Sequence, residues 1–232
     1  AEFGSPSGAG DLNGDGFADL AAGDVLYSSP ETEEGRVLVY YGSTNGVSTT
    51  AQWTNEGNTT YLHYGNSISH ADVNGDGYDD LLFGADALQG SSFGTGHVYA
   101  FYGSAMGLGT TASWHVANPF TNTVRMGRMI NSAGDVNGDG YEDVILEFPT
   151  WASNYLYILY NVHAFYGSSN GLSASPSWRM ETTSTNNAYY AGRGAHDVNG
   201  DGYDDALLTY RQPGPSGYNY YRQLYYGSPT GL

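Results

Sequence analysis

The sequence predicts an all-β fold: a β-propeller of four-stranded antiparallel blades, with four repeats in this chain and the last blade incomplete. Three landmarks that recur every 60 to 64 residues support this prediction. They are an acidic nine-residue loop that starts at Asp11, Asp72, Asp135 and Asp197, a Tyr-Gly-Ser triplet that starts at Tyr41, Tyr102, Tyr166 and Tyr226, and a tryptophan at Trp53, Trp114 and Trp178. Glycine and tyrosine are abundant, at 34 and 22 residues, which favours strands joined by turns over helices.

The second copy shows how one blade is built. Its first strand is predicted over Tyr64–Ala71, and the acidic loop follows. A compact apolar strand, Leu81–Phe83, comes next, with counterparts at 20–22, 144–146 and 206–208. A third strand covers Val98–Tyr102 and a last one Ala112–His115. Strand-based solenoids repeat every 20–30 residues or so, much less than these units, so we prefer the propeller.

The repeats divide one propeller region into approximate blades at 1–58, 59–119, 120–182 and 183–232. The fourth copy reaches Leu232 before its tryptophan strand would begin. Three arrangements stay open: part of a larger ring, a ring completed by a second copy as a homo-oligomer, or a four-blade ring with an incomplete blade. An unpaired strand edge favours self-association.

The charge balance excludes several classes of partner. The chain has 24 acidic residues, 7 arginines and no lysine, for a net charge of -17. Such a surface repels phosphate backbones, so we expect no nucleic-acid partner. No apolar run approaches the roughly 18 residues of a membrane span, and we expect no membrane insertion. The absence of cysteine excludes disulfides and thiolate metal sites.

The acidic loops have the composition of calcium sites. Each places side-chain oxygens at positions 1, 3, 5 and 9, and glycine at position 6 permits the left-handed backbone that wraps an ion. Because Ca²⁺ prefers six to eight oxygen ligands, we predict up to four Ca²⁺ ions, one per repeat, with the carbonyl of position 7 and water completing each shell. The predicted ligands are Asp11, Asn13, Asp15, Phe17 and Asp19; Asp72, Asn74, Asp76, Tyr78 and Asp80; Asp135, Asn137, Asp139, Tyr141 and Asp143; and Asp197, Asn199, Asp201, Tyr203 and Asp205.

An EF-hand and a simple hairpin turn are two other structures that loops rich in aspartate, asparagine and glycine can form. An EF-hand needs a bidentate glutamate at position 12, and the chain has Ala22, Phe83, Leu146 and Leu208 there, which excludes it. The Asn-Gly and Asp-Gly pairs could alternatively form simple hairpin turns. Four copies with every ligand position filled favour calcium over turns.

Phe3-Gly4, the run Gly10–Gly16, the strand Leu81–Ala85 and Tyr102-Gly103-Ser104 resemble the FG-GAP repeat, the blade of the integrin α-subunit propeller and of many bacterial secreted proteins. The resemblance covers essentially the whole chain. It implies a propeller, usually of seven blades, with calcium loops on one rim and partner-binding loops on the opposite face. It also implies a secreted or cell-surface location. The ligands that integrins recognise do not carry over with it.

The loops predicted on that opposite face cover 27–35, 87–96, 149–160 and 211–219. Their aromatic residues could stack on sugar rings or anchor a protein partner, or could instead pack between sheets. The candidates for ligand binding are Trp151, Tyr155, Tyr157 and Tyr218. No nucleophile elbow or phosphate loop occurs, and we predict no catalytic residue.

The sequence therefore predicts a non-catalytic, extracellular calcium-binding propeller that mediates adhesion or protein interaction. A sugar-binding, lectin-like propeller is one alternative, and its partner would be a glycan. An accessory domain of a secreted polysaccharide-degrading enzyme is the other.

Overall fold

The computed structural model describes residues 6–89, 92–93, 96–117, 126–147, 150–151, 158–159, 161–180, 188–214 and 217–232. Every regular element in these residues is a β-strand. Phe3-Gly4 lies outside them. The prediction of an all-β chain built from repeated antiparallel sheets is confirmed, and the architecture is that of propeller blades.

Four sheets follow one another along the chain. Sheet 1 contains β1 (Ser7–Gly10), β2 (Asp19–Asp24), β3 (Arg36–Tyr40) and β4 (Trp53–Glu56), paired in that order. Sheet 2 contains β5 (Tyr64–Ala71), β6 (Asp80–Ala85), β9 (His97–Phe101) and β10 (Trp114–Ala117), with the small hairpin β7 (Leu88–Gln89) and β8 (Ser92–Phe93) between its middle strands.

Sheets 3 and 4 repeat this plan. Sheet 3 contains β11 (Ile130–Gly134), β12 (Asp143–Glu147), β15 (Val162–Phe165) and β16 (Trp178–Met180), and the short pair β13 (Thr150–Trp151) and β14 (Ile158–Leu159) lies between β12 and β15. Sheet 4 has three strands in the described residues: β17 (Ala188–His196), β18 (Asp205–Gly214) and β19 (Gly217–Tyr225). The shorter fourth sheet agrees with the predicted incomplete blade.

The second strands of sheets 2 and 3 are apolar on both faces because a neighbouring sheet packs against each side. Leu81, Leu82 and Phe83 in β6 are all 0% exposed, although their side chains alternate between the two faces. Phe83 faces sheet 1 and lies in the apolar cluster between sheets 1 and 2. There its ring stacks on that of Phe101, from β9 of its own sheet. Leu82 belongs to the cluster between sheets 2 and 3. A third cluster fills the space between sheets 3 and 4.

The tryptophans of the fourth strands connect each sheet to the next one. The indole Nε1 of Trp53 donates to the carbonyl of Gly109 at 2.8 Å, and that of Trp114 donates to the carbonyl of Ser173 at 3.0 Å. The repeat landmark is therefore a contact between sheets. Its recurrence explains why tryptophan keeps phase with the acidic loop.

The last two strands of sheet 4 are longer than predicted. The sequence predicts a variable loop over 211–219. In the structure most of this segment is strand instead, since β18 continues to Gly214 and β19 begins at Gly217. The two strands pair in register out to Gly214 opposite Gly217. Sheet 4 thus carries a long hairpin that extends well beyond the equivalent strands of the other sheets.

Candidate metal loops and the contacts that join them

The first aspartate of each acidic loop holds the loop's own backbone. In the second loop, Oδ1 of Asp72 accepts hydrogen bonds from the N–H groups of Gly75 at 2.7 Å and Asp76 at 3.2 Å. Its Oδ2 accepts from the N–H of Gly77 at 3.0 Å. Gly77 has a φ of 87°, a left-handed conformation that lets the chain turn around this carboxylate. The same bonds form around Asp11, Asp135 and Asp197.

Positions 3 and 5 continue this pattern of side chain bonding to backbone. Oδ1 of Asn74 accepts from the N–H of Asp76 at 2.9 Å, and Oδ1 of Asp76 accepts from the N–H of Tyr78 at 3.0 Å. These are local turns that asparagine and aspartate form with residues two positions ahead. Equivalent bonds occur in the other three loops. The sequence thus builds four loops of one shape.

The aspartate at position 9 lies beneath the loop. Asp80 is 0% exposed, and its two oxygens accept from the N–H groups of Val73 at 3.0 Å and Gly103 at 2.9 Å. Burial is the main reason that its pKa is raised to about 7, and repulsion from Asp76 and Asp72 adds to the effect. Burial raises the pKa of Asp143 to about 7 as well. The negative charge in these loops is therefore poorly compensated.

The donor set suits a hard divalent cation. Each loop offers three carboxylates, one amide oxygen and a backbone carbonyl, which are the ligands that Ca²⁺ prefers. No arginine lies within any of the four loops, and the chain has no lysine. In the described part of the chain, no three carboxylate, imidazole or thiol groups already stand in a geometry that would hold a metal ion. Each of these oxygens has two lone pairs, so it can accept from a backbone N–H group and still be offered to an ion.

In the second, third and fourth loops, an acidic residue at position 8 joins the loop to the preceding one. This role was not among the sequence-based predictions. Oδ2 of Asp79 accepts from the N–H of Asp11 at 2.8 Å, while the N–H of Asp79 donates to the carbonyl of Asp11 at 3.1 Å. Glu142 makes the same pair of bonds with Asp72, and so does Asp204 with Asp135. The signal in the sequence was the acid at position 8 in copies two to four.

The carboxylate of Asp79 also pairs with a histidine. Its Oδ1 lies 2.9 Å from Nδ1 of His70, in the preceding strand β5. This contact raises the pKa of His70 and lowers that of Asp79. The first loop differs, because Ala18 occupies position 8 and has no carboxylate.

Tyrosines make two further contacts between successive sheets. The ring of Tyr141, at position 7 of the third loop, lies over Gly75 of the second loop so closely that a Cβ there would stand 2.7 Å from the ring. The hydroxyl of Tyr102, from the Tyr-Gly-Ser triplet, accepts from the N–H of Leu172 at 3.1 Å. Both contacts recur at the other two interfaces. Tyrosine at these positions therefore fixes one repeat against the next.

The four aromatic candidates for ligand binding are placed only in part. Tyr218 is 49% exposed on the long hairpin, and the guanidinium of Arg211 lies 4.1 Å above its ring. Trp151 falls in β13, but its side chain lies outside the described residues, as do Tyr155 and Tyr157 altogether. Only Tyr218 can be assigned to an exposed surface.

A cavity of about 370 Å³ opens beside the first strands of sheets 2, 3 and 4. Polar side chains of both charges contribute to its lining, among them His70, Asn131, Glu142, Arg193 and Asp204. Because Glu142 and Asp204 already bond the preceding loops, the cavity is partly built by the contacts described above.

The repeat is recognised by comparison with known families. Residues 11–83, which hold the first two acidic loops and the strands between them, match the family model described as FG-GAP-like repeat. This part of the chain is similar to the FG-GAP repeat. The expected kinship with integrin α chains is confirmed by relatives in several animals.

Three of these relatives illustrate the range. Integrin alpha-4 of Xenopus laevis is 32% identical over 148 residues, covering 62% of this chain and 14% of that protein. Integrin alpha-V of Gallus gallus is 28% identical over 210 residues, covering 86% of this chain and 19% of its own length. Phosphatidylinositol-glycan-specific phospholipase D of Rattus norvegicus is 30% identical over 158 residues, which are 64% of this chain and 19% of that protein.

The chain spans less than a fifth of the length of these curated relatives. Some of these relatives are integrins and another is named as a phospholipase. Among the described residues, no helix has the length and apolarity of a membrane span.

Proposed function

We propose that this chain is a non-catalytic FG-GAP β-propeller module that binds calcium through its four acidic loops and mediates adhesion or protein interaction outside the cell. The observation that carries the proposal is the fourfold repetition of one loop, with the same oxygen donors and the same backbone hydrogen bonds. Kinship with integrin α chains supports the interaction role.

Each ion would be held by the side chains of positions 1, 3, 5 and 9 and by the carbonyl of position 7. A bound cation supplies positive charge that offsets the repulsion among the three carboxylates. In the second loop, Asp72 and Asp76 reach the ion from the exposed side, while Asp80 supports it from below. Because position 1 also bonds the next sheet through position 8, an ordered loop stabilises the docking of its neighbour.

Thermal unfolding in calcium and in chelator tests the metal assignment. An ion present at about 100 times its dissociation constant stabilises the folded chain by about 2.7 kcal/mol per site. We expect a higher melting temperature in Ca²⁺, and Asp76→Asn should reduce this gain by removing one ligand charge. Glu56→Gln, which removes a charge outside the loops, is the matched control. Equal melting temperatures with calcium and with chelator would exclude the assignment.

The interaction role is tested by attachment of cells to surfaces coated with the chain. We expect attachment in calcium that falls in chelator, because the loops hold successive sheets together. Attachment that is equal to that on a surface coated with an unrelated acidic protein would count against adhesion.

A sugar-binding role is the second candidate, and the long hairpin of sheet 4 favours it. Tyr218, Tyr220 and Tyr221 are 49%, 68% and 40% exposed there, and aromatic rings with polar tips are suited to stacking on sugars. Saturable binding of one defined glycan on an array, lost in Tyr218→Ala, would favour a lectin. An array without a saturable signal would favour protein interaction.

Self-association that completes a ring remains a prediction. The solution mass in calcium, measured by sedimentation, distinguishes a monomer from a pair of chains. The accessory role in a polysaccharide-degrading enzyme likewise remains a prediction, and activity assays on a longer parent chain would test it.

A further inference from the structure

Two histidines outside the acidic loops face each other on sheet 2. His97 is the first residue of β9 and His115 the second residue of β10. In the strand register, Tyr99 lies opposite His115 and Ala117 opposite His97, so the two histidines are diagonal neighbours on one face of the sheet. Nδ1 of His97 lies 3.0 Å from Nε2 of His115.

The two rings pack beside a third aromatic ring, that of Tyr99. Tyr99 stacks on His115 with ring centroids 4.6 Å apart and an angle of 19° between the ring planes. The two imidazoles are 15° from parallel, with centroids 5.2 Å apart. Tyr99 in turn packs against Tyr64 in the apolar cluster between sheets 1 and 2. The histidine pair therefore rests on a packed aromatic base.

Both imidazoles favour the neutral form that binds metals. Burial lowers the pKa of His97, and repulsion from His115 lowers it further. Burial also lowers the pKa of His115. In the pair as it stands, one of the two facing nitrogens donates a hydrogen bond to the other.

We propose that His97 and His115 together bind one divalent transition-metal ion of the Zn²⁺, Ni²⁺ and Cu²⁺ class. Two metal–nitrogen bonds of about 2.0–2.1 Å that meet at roughly 90–110° place their nitrogens about 2.9–3.4 Å apart, which includes the observed separation. The rings need to turn so that both lone pairs converge on one point, and the terminal torsion of histidine is broad enough for this. The ring that donates in the present pair changes tautomer, so that each neutral imidazole carries its own proton on its outer nitrogen, Nε2 in His97 and Nδ1 in His115.

The ligand chemistry separates this site from the acidic loops. Imidazole suits Zn²⁺, Ni²⁺ and Cu²⁺, whereas Ca²⁺ selects oxygen ligands. In the described residues no third imidazole or carboxylate joins the pair into a ready metal group, so water completes the coordination. The net charge of -17 raises the local concentration of cations around the protein.

The experiment is a calorimetric titration of the whole chain with Ni²⁺ at pH 7.5, in saturating Ca²⁺ so that the acidic loops are occupied. We expect one saturable site whose affinity falls by about tenfold or more in His97→Gln and in His115→Gln. His196→Gln is the control, because that ring is 96% exposed and belongs to no histidine pair. Circular dichroism checks that each variant remains folded.

A second readout does not depend on variants. Electron paramagnetic resonance of the wild-type chain with one equivalent of Cu²⁺ should show coupling to two imidazole nitrogens. Absence of a saturable Ni²⁺ site, equal affinity in all three variants, or coupling to a single nitrogen would overturn the proposal. The short contact would then be a hydrogen bond between two histidines and nothing more.

Discussion

Replacing Asp79 by alanine removes the side-chain half of the contact that joins the second loop to the first. The carboxylate accepts from the N–H of Asp11 at 2.8 Å and is 29% exposed. A hydrogen bond to a charged acceptor contributes about 1.5–3 kcal/mol. The pair with His70, whose side chain is 43% exposed, adds at most about 1 kcal/mol because water screens it. We therefore expect Asp79→Ala to lower the free energy of unfolding by about 2–4 kcal/mol.

Urea unfolding followed by tryptophan fluorescence measures this change. With a denaturant slope near 2 kcal/mol per molar, the midpoint should fall by about 1–2 M. The loss should persist in chelator, because the bond to Asp11 uses no calcium. Ala18→Asp is the matched control: it introduces an acid at the same loop position in the first copy, and an exposed substitution there should change stability by less than about 0.5 kcal/mol.

A midpoint shift for Asp79→Ala no larger than that of this control would refute a stabilising contact between Asp79 and Asp11. A loss that appears only in calcium would also refute it, since the carboxylate would then act through the neighbouring ligand rather than between sheets.

Three further predictions concern the core, an outer strand and pH. Phe83→Ala should cost about 3–5 kcal/mol in thermal unfolding, because the ring is 0% exposed; a loss below about 1 kcal/mol would contradict this packing. Trp114→Phe removes the donor to the carbonyl of Ser173 and should lower the free energy of unfolding in urea by about 1 kcal/mol. An unchanged free energy of unfolding would contradict this hydrogen bond. The hydrogen bond to Asp86 raises the pKa of His63 above 6.5, so this stabilisation is complete below pH 6.5 and is lost as pH rises through the raised value. The stability advantage of the wild type over His63→Gln should accordingly be larger at pH 6 than at pH 9, and an equal advantage at both would argue against the pair.

Much of the fold could be predicted because the repeat fixes the phase of every strand. The segment Leu81–Phe83 reads as a strand buried on both faces, and it is one. The composition of the acidic loops likewise predicted their shape, since aspartate, asparagine and glycine at fixed offsets determine local hydrogen bonds. These features depend on residues close together in the chain.

Contacts between sheets were harder to predict. Asp79 bonds a residue 68 positions away, and no local pattern distinguishes that role from a solvated charge. The long hairpin was missed for a related reason. Pro213 and Gly214 are typical of loops, yet the structure pairs them with Tyr218 and Gly217, because strand pairing over the whole hairpin outweighs local propensity.

The identical set of contacts at successive interfaces has a consequence for how such chains change in length. Each sheet presents one kind of surface to the sheet before it and the complementary kind to the sheet after it. A duplicated repeat therefore fits both of its new neighbours without further substitutions. Adding or losing a whole repeat needs no new kind of contact between sheets. The first repeat is an exception, because Ala18 gives it no carboxylate at position 8. The number of repeats is therefore a quantity that can vary by whole units, whereas a shift of the position-8 acid by a single residue would disconnect two neighbours.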